Sequence, residues 1–452
     1  MNEEISEKNK TAKLQNLPEG WKWVNGGTDI LLIPGMRPFG GATDEGIPSL
    51  GGEHITMDGK VRFNETNAKF VPFKFYNSID RGKAKINDIL INKDGANTGK
   101  VAILRKMFAP YIMVNEHVFI VRSKSFFDQN FLFYYLFSHY GQNQIKSKIT
   151  GSAQPGLSSS FIKSFYLLFP TLPEQRKIAE ILETVDNAIE KTDQIIEKYK
   201  RIKQGLMQEL LTKGIDENGK IRDEKTHHFK ASPLGRIPEE WKVTRLGEIA
   251  SKEKYSFVDG PFGSNLKTVH YTTSGILVIQ SNYFTKGKFN VINPTFTTEE
   301  KANELLRSNT KPSDIVIAKI GANYGAVAII PETITRAVLS GNTMKITLDK
   351  NIANNVYVCF YLGYFKETDK INRILAAGSA QPALSLYGYK NLKIPLPPLP
   401  EQQRIAAILS QIDEVIEKET QYRDKLKRLK AGLMQDLLTG KVRVNKLIKQ
   451  GA

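Results

Sequence analysis

The sequence predicts an α+β protein with two mixed α/β domains, each followed by a long helix. Three observations support this prediction. The chain has 452 residues, which is long enough to form more than one hydrophobic core. An internal duplication divides it into two halves. Each half ends in a segment whose apolar residues recur with the period of a helix.

The duplication is clearest in the segments that end each half. Leu-Pro-Glu-Gln occurs at 172–175 and again at 399–402. Over 172–215 and 399–442, 24 of 44 ungapped positions are identical. Shorter motifs upstream are also repeated. They pair Leu17-Pro18-Glu19-Gly20-Trp21 with Ile237-Pro238-Glu239-Glu240-Trp241, Pro38-Phe39-Gly40-Gly41 with Pro261-Phe262-Gly263-Ser264, and Gly95-Ala96-Asn97-Thr98-Gly99 with Gly321-Ala322-Asn323-Tyr324-Gly325.

Both terminal segments are predicted to be long helices with a heptad seam. A polar residue interrupts each seam at an equivalent place, Thr192 and Glu419. Pro173 and Pro400 suit the first helical turn. An ordinary amphipathic helix packed on its own domain is the alternative. The predicted seam positions are Ile178, Ile181, Val185, Ala188, Thr192, Ile195, Tyr199, Ile202 and Leu206, and then Ile405, Ile408, Ile412, Val415, Glu419, Tyr422, Leu426, Leu429 and Leu433.

The globular halves contain more strand signals than helix signals. Short β-branched runs at 84–91 and 101–104 flank a glycine-rich turn, which predicts a hairpin. The aromatic run 130–136 is compatible with a buried helix, but its periodicity does not decide this. Segment 214–236 has few apolar residues and several turn residues, which is typical of a linker.

Charge and cysteine content restrict the partners and the compartment. The formal net charge is +17, which favours a polyanionic partner, although a basic surface with no such partner is the alternative. Cys359 lies in an apolar run and is predicted to fill the core; one cysteine cannot form an internal disulfide. We see no signal peptide and no membrane span, so we expect a cytoplasmic protein.

The sequence offers no convincing catalytic or metal site. Residues 95–100 resemble a phosphate-binding loop, but Gly95 is one residue too close to Gly99 and Val101 replaces the Ser or Thr. Neither a methyltransferase Asn/Asp-Pro-Pro-Tyr/Phe tetrapeptide nor a helicase-like Asp-Glu-Ala-Asp/His run occurs. His227 and His228 have no nearby Cys to complete a metal site. We therefore expect no catalytic residues, no metal and no cofactor bound by this chain.

Polar loops that follow the repeated Pro-Phe-Gly motifs are the candidates for nucleic-acid contact. Gln and Asn side chains can bond adenine in a bidentate way, Ser can donate or accept, and Lys can hold phosphates. Ordinary surface loops are an equally good interpretation for each single residue. The candidate residues are Gly52, Glu53, His54, Lys93, Asn97, Lys100, Lys267, Gln280, Ser281, Asn282, Tyr283, Lys286, Asn323 and Tyr324.

The order of these features resembles the specificity (S, HsdS) subunits of type I restriction–modification systems. The most telling residues are Pro395-Leu396-Pro397-Pro398-Leu399-Pro400-Glu401-Gln402 and the closing Gly432-Leu433-Met434-Gln435-Asp436-Leu437-Leu438-Thr439-Gly440. The resemblance implies two target-recognition domains, each of which reads half of a split DNA site. It also implies an antiparallel coiled coil and internal pseudo-twofold symmetry. The implied segments are recognition domain 1 (1–171), a spacer helix (172–213), a linker (214–236), recognition domain 2 (237–398), a second spacer helix (399–440) and a tail (441–452).

The resemblance also implies partners. It implies double-stranded DNA, two methylation subunits that use S-adenosylmethionine, and restriction subunits that use ATP and Mg²⁺. The chain itself is then a non-catalytic DNA-binding subunit. A specificity subunit of a modification-only system, a self-sufficient enzyme and a coiled-coil scaffold that ignores DNA remain alternatives.

Overall fold

A computed structural model describes residues 17–124, 127–151, 155–285, 287–321, 323–368 and 385–448. It divides into two compact units. Unit 1 comprises 1–193 and 421–452, and unit 2 comprises 194–420. Each unit therefore combines one globular domain with part of both long helices.

Unit 1 is built from short strands, small helices and the beginning of the first long helix. Its strands are β1 (Lys22–Asn25), β2 (Ile30–Pro34), β3 (Ile47–Leu50), β4 (Phe70–Val71), β5 (Ile89–Asn92), β6 (Val101–Ile103), β7 (Met113–Val114), β8 (Val118–Ser123), β9 (Ile149–Thr150), β10 (Gly156–Leu157) and β11 (Tyr166–Phe169). Its helices are α1 (Gly26–Asp29), α2 (Phe73–Ser78), α3 (Gln129–Phe137), α4 (His139–Lys146) and the start of α5 (Leu172–Leu210).

The unit 1 core lies on an antiparallel sheet with the order β2-β8-β5-β6. Beside it, β3 pairs with β4 in antiparallel and with β7 in parallel orientation. Strands β5 and β6 are antiparallel neighbours, which confirms the hairpin prediction around the glycine-rich turn. The aromatic run forms helix α3 and is buried; Asp128 caps it by accepting from the N–H groups of Asn130 and Phe131.

Unit 2 repeats this plan with a larger second sheet. Its strands are β12 (Phe229–Ser232), β13 (Gly235–Pro238), β14 (Lys242–Arg245), β15 (Phe257–Asp259), β16 (Tyr271–Thr272), β17 (Ile276–Ile279), β18 (Phe284–Thr285), β19 (Lys288–Phe289), β20 (Phe296–Thr297), β21 (Asn309–Thr310), β22 (Ile315–Ala318), β23 (Val327–Ile329), β24 (Ala337–Leu339), β25 (Thr343–Ile346) and β26 (Lys393–Leu396). Its helices are α6 (Glu299–Glu304), α7 (Asn355–Glu367), α8 (Leu386–Asn391) and the start of α9 (Leu399–Leu437).

Equivalent strands hold equivalent places in the two units. The sheet β15-β25-β22-β23 corresponds to β2-β8-β5-β6. The parallel pair β17 and β24 corresponds to β3 and β7. Cys359 is buried on α7 among apolar neighbours, and burial raises the pKa of its thiol to about 12. It fills the core of unit 2, as the sequence predicted.

The long helices run antiparallel within each unit. In unit 1, Asp186 pairs with Lys430 at 2.6 Å and Asp193 pairs with Arg423 at 3.6 Å. The residue numbers on α9 therefore decrease as those on α5 increase, which is the mark of antiparallel helices. In unit 2, Lys203 of α5 binds Asp413 of α9 at 2.7 Å. The prediction of two long antiparallel helices is confirmed. Within the described ranges, none of the helices combines the length and apolar composition that spanning a bilayer requires.

The phase of the predicted seam was only partly right. On α5, Ile189 and Ile196 are buried, whereas the predicted Ile195 and Ile202 are exposed. The first turns of α5 pack on the unit 1 domain, where Ile178 joins its core. Ile189 packs with Val185 and with Leu426 of α9, so the contact between the long helices includes a position outside the predicted seam. The coiled-coil and the amphipathic interpretations each hold in part. On α9, Tyr422 and Leu429 are exposed in the same way.

The repeated Pro-Glu-Gln motif anchors each long helix to its unit. Glu174 accepts hydrogen bonds from Trp21 Nε1 at 3.1 Å and from Arg443 Nε at 2.8 Å. Glu401 accepts from Trp241 Nε1 at 3.1 Å and from Arg222 Nη1 at 2.5 Å. Each buried carboxylate therefore joins the start of one long helix to an indole and to an arginine that follows the other long helix.

The glutamine of the same motif fixes the entry of an aromatic helix. Gln175 Oε1 accepts from the N–H of Asp128, the capping residue of α3, at 2.8 Å. Gln402 Oε1 accepts from the N–H of Asn354, the capping residue of α7, at 2.9 Å. These bonds explain why the motif is retained in both copies of the repeat.

Segment 214–236 is not an open linker. Ile215 is buried, and Arg222 is buried against Glu401. Residues 229–232 pair with 235–238 as the hairpin β12-β13. The segment has few apolar residues, and its sequence therefore resembled a linker. In the structure the ion pair between Arg222 and Glu401 helps to attach it to unit 2.

Candidate nucleic-acid interface

In unit 1, several loops meet at one end of the two sheets. The N–H of Gly35 donates to the carbonyl of Val118 at 2.9 Å, and the N–H of Asn115 donates to that of Leu50 at 2.9 Å. These bonds bring together 35–41, 51–54 and 115–117. The hairpin 93–100 joins them through polar side chains. We call residues 35–41, 51–54, 93–100 and 115–117 the unit 1 loop face.

A chain of charged and polar side chains crosses the unit 1 loop face. Arg37 pairs with Glu116 at 3.0 Å, and Glu116 lies 3.3 Å from His117 Nε2. His117 Nδ1 lies 2.6 Å from Asp94, which belongs to the hairpin. These side chains are at least partly exposed, so their polar atoms are accessible to a ligand.

Unit 2 presents the corresponding loops. Three backbone hydrogen bonds join these loops. The N–H of Gly260 donates to the carbonyl of Thr343 at 2.8 Å, and the N–H of Ser340 donates to the carbonyl of Ile279 at 3.0 Å. The N–H of Lys319 donates to the carbonyl of Asn342 at 2.7 Å. Lys319 Nζ also lies 3.3 Å from Asp259. We call the described residues of 260–265, 280–283, 319–325 and 340–343 the unit 2 loop face.

One close approach shows that the two faces are built alike. A Cβ atom on Gly35 would lie 1.9 Å from the carbonyl oxygen of Asn115, and a Cβ atom on Gly260 would lie 1.9 Å from that of Ser340. Only glycine fits where the first loop crosses the turn before β8 or β25. The equivalence of the loop faces therefore reaches the backbone, although their side chains differ.

Two of the predicted contact residues with polar side chains lie in the interior. His54 is buried, its Nδ1 accepts from the N–H of Gly51 at 2.8 Å and its Nε2 lies 2.8 Å from the carbonyl of Asn67. Tyr283 is buried, and its hydroxyl accepts from the N–H of Thr295 at 3.1 Å. We reassign both to holding their loops in place, because their polar atoms are turned inward.

The other unit 1 candidates vary in access. Gly52 is buried, and a Cβ atom there would lie 2.1 Å from Asn92 Oδ1. Glu53 pairs with Lys69; burial raises the pKa of this carboxyl, but the hydrogen bond from Lys69 and nearby charges give a net lowering. The hairpin residues Lys93, Asn97 and Lys100 are all partly exposed.

In unit 2 the candidates form two groups. Gln280 and Ser281 are partly exposed and Asn282 is exposed on the turn after β17. Asn323 and Tyr324 are partly exposed on the hairpin after β22, where Gly321 approaches Ser281. Lys267 is exposed on the loop after 260–265. Lys286 lies outside the described residues.

Sequence reasoning missed the charged residues that connect the loops. Lys319 occupies the place of Lys93, since Asp314-Ile-Val-Ile-Ala-Lys319 repeats the pattern of Asp88-Ile-Leu-Ile-Asn-Lys93. Extending the repeat alignment by a few residues would have found it. Arg37, Glu116 and His117 gave no such signal, because only the folded chain brings them to one face. Among the described residues, no group of three or more His, Cys, Asp or Glu is placed to hold a metal ion.

Comparisons with known proteins agree with this duplicated plan. The chain is 28% identical over 436 residues to the type I restriction enzyme MjaVIII specificity subunit of Methanocaldococcus jannaschii. This alignment covers 95% of each chain. The chain is also 28% identical over 446 residues to the putative MjaX specificity subunit of the same organism, which covers 96% of each chain. The crystal structure of a type I restriction-modification S subunit from M. genitalium has the same fold, with a TM-score of 0.58, 18% identity, and coverage of 94% of this chain and 98% of that one.

A family model decides the assignment. The model of the type I restriction modification DNA specificity domain matches residues 58–201 and again 238–428, which together make up well over half of the chain. The two matches follow the internal duplication, with one match for each recognition domain and the helix that follows it. The chain therefore belongs to the family of type I restriction modification DNA specificity domains.

Proposed function

We propose that this chain is the DNA-sequence-specificity subunit of a type I restriction–modification enzyme. One observation carries the proposal: two equivalent loop faces occur in one basic chain, each attached to a pair of antiparallel helices. A chain with two related reading surfaces suits a target made of two separate half-sites. Because the loops differ while the long helices keep 24 of 44 aligned positions identical, each unit reads a different half-site.

Within each loop face we assign different tasks to different side chains. Lys93, Lys100 and Lys267 contact phosphates, which supplies affinity but no sequence information. Asn97, Gln280 and Asn282 contact base edges, where amide side chains can recognise adenine. The buried ion-pair junctions at Glu174 and Glu401 hold each loop face in a fixed relation to the helix that begins beside it.

The proposal includes partner subunits that carry out the chemistry. Two methylation subunits dock on this chain and use S-adenosylmethionine to methylate adenine. Restriction subunits, where the host has them, use ATP and Mg²⁺. The chain itself contributes recognition in the cytoplasm and no turnover.

The decisive experiment measures methyl transfer. Purified chain is incubated with labelled S-adenosylmethionine and host DNA that lacks the modification, with and without the methylation subunit from the same host. We expect label in DNA only when both are present, at one bipartite sequence identified by single-molecule sequencing. Transfer by the chain alone, or modification that does not require this chain, would refute the proposal.

A mobility-shift titration at two salt concentrations separates the proposal from a scaffold that ignores DNA. A protein that contacts several phosphates loses affinity steeply as salt rises, because binding releases counterions. A scaffold shows no retarded band at either salt concentration.

A further inference from the structure

Each loop face carries a phenylalanine whose side chain projects into solvent. Phe39 is fully exposed and Phe262 is 71% exposed. Single exposed apolar residues are common on protein surfaces and need no explanation. These two, however, occupy the same repeated Pro-Phe-Gly motif at the start of equivalent loops.

The turns are built so that the ring projects and the backbone stays anchored. Pro38 and Pro261 are buried immediately before the exposed rings. In unit 1, the N–H of Gly41 donates to the carbonyl of Pro38 at 3.2 Å, which closes the turn around Phe39. In unit 2, the N–H of Asn265 donates to the carbonyl of Phe262 at 2.8 Å. Ordered hydrogen bonds thus hold both tips in place.

Space around the unit 1 tip is open. Gly40 and Gly41 have φ values of 87° and 90°, and a Cβ atom on either would have no neighbour within 4 Å. The positive φ values need glycine, and the missing side chains keep the flank of the ring clear. A flat object can therefore approach the Phe39 ring without meeting protein atoms on that side.

The surroundings of both rings are polar and include a basic side chain in each unit. Arg37 lies two residues before Phe39 and is 65% exposed at its side chain. Ser264, Asn265 and Lys267 are exposed just after Phe262. A ring in such surroundings suits a ligand with an apolar flat surface bordered by negative charge. Stacked base pairs between two phosphate strands have that chemistry.

We propose that Phe39 and Phe262 are wedge residues that insert between adjacent base pairs, one in each half-site. This inference rests on the proposed function. Apolar wedges of this kind partly unstack a base step and bend the duplex. The cost of unstacking depends on the step, and pyrimidine–purine steps deform most easily. The wedges therefore add sequence preference at one step in each half-site without any hydrogen bond.

The test uses the chain assembled with its methylation subunits and a duplex that carries the sequence found by methylome mapping. Phe39→Ala and Phe262→Ala remove the wedges. Met57→Ala and Tyr387→Ala are the matched controls, because these side chains are 76% and 79% exposed and lie outside both loop faces. Affinity is measured by titration over a range of salt concentrations. Unstacking is measured by permanganate oxidation of thymines placed along each half-site.

We expect each wedge variant to lose about tenfold in affinity, since stacking of a base on an aromatic ring has this order of effect. The slope of affinity against salt should stay unchanged, because a phenyl ring releases no counterions. Enhanced permanganate reactivity should disappear in one half-site with Phe39→Ala and in the other with Phe262→Ala. Phe39→Trp should keep both affinity and reactivity, and both controls should match the wild type.

Three results would overturn the inference. Affinity within twofold of the wild type in both wedge variants is the first. Reduced affinity with unchanged permanganate reactivity is the second, since the ring would then act without unstacking DNA. Loss of methylation-subunit binding in gel filtration, with normal unstacking by the complex that remains, is the third, because the rings would then dock protein. If the wild-type complex itself fails to bind any DNA, the proposed function fails first.

Discussion

The buried junction at Glu401 allows a quantitative test of how the unit 2 helix is held. Glu401 Oε1 lies 2.5 Å from Arg222 Nη1 and accepts from the N–H of Ile215 at 3.0 Å, and Oε2 accepts from Trp241 Nε1 at 3.1 Å. Glu401→Gln keeps the size and one oxygen acceptor but removes the charge. Arg222, whose side chain is only 9% exposed, then lacks its buried counterion.

The expected loss in the free energy of unfolding of unit 2 is about 3 kcal/mol. Removing one partner of a buried pair costs about 3–5 kcal/mol, and the retained amide oxygen places this change at the lower end. Glu174→Gln is the matched control in unit 1. Its partner Arg443 is 26% exposed at the side chain, so water can solvate the charge that remains. We expect about 1 kcal/mol there.

Urea titration with pulsed hydrogen exchange and mass spectrometry reads the two units separately, since peptides from each report their own unfolding. A second variant, Arg222→Met combined with Glu401→Gln, removes the buried charge while keeping one amide oxygen, which can accept from either Trp241 Nε1 or the N–H of Ile215. It should recover more than half of the lost stability. Equal losses for Glu401→Gln and Glu174→Gln, or no recovery in the double variant, would refute the assignment of this effect to a buried ion pair.

Three further outcomes are expected. If the two long helices set the distance between the half-sites, one heptad inserted in each helix, at 192–199 and at 419–422, should lengthen the spacer by up to about three base pairs and leave the half-site sequences intact. A two-residue insertion is the out-of-phase control. An unchanged spacer in an active enzyme would contradict this role of the helices. Replacing 17–170 with the same region of a relative should alter one half-site in the methylome and preserve the other, and a change in both contradicts modular reading. Burial lowers the pKa of His54 below its ordinary value of 6.5. As pH falls, the unfolded state therefore takes up the proton before the folded state does. The free energy of unfolding of unit 1 should decrease as pH falls through about 6.5, by at most about 1.4 kcal/mol per pH unit. Urea unfolding of the wild type and of His54→Gln at pH 7.5 and 5.5 measures this slope, and identical slopes in the two proteins would show that His54 does not contribute.

Much of the fold could be predicted because its signals are local or repeated. The hairpin between β5 and β6 follows from two β-branched runs around a glycine-rich turn. The long helices follow from a period sustained over several heptads in both copies. Repetition made the two-unit plan visible, since unrelated segments do not keep the same motifs in the same order.

The errors arose where burial depends on distant residues. On α5, Ile189 and Ile196 are buried in place of the predicted Ile195 and Ile202, and Ile189 packs on Leu426 of α9. Within segment 214–236, Arg222 is buried against Glu401, which lies far along the chain, and Ile215 joins the unit 2 core. His54 and Tyr283 carry side chains suited to base recognition, but their partners within the loops turn their polar atoms inward.

The sequence by itself determined the duplicated α+β plan, the two long helices and the family resemblance, because periodicity and repeated motifs are properties of neighbouring residues. The tertiary structure decided which loops meet at one face, which candidate side chains are exposed, and that Phe39 and Phe262 project from the loops that follow β2 and β15. These depend on contacts between residues far apart in the chain, such as Gly35 with Asn115 and Gly260 with Ser340, where hydrogen bonding and close packing select one arrangement.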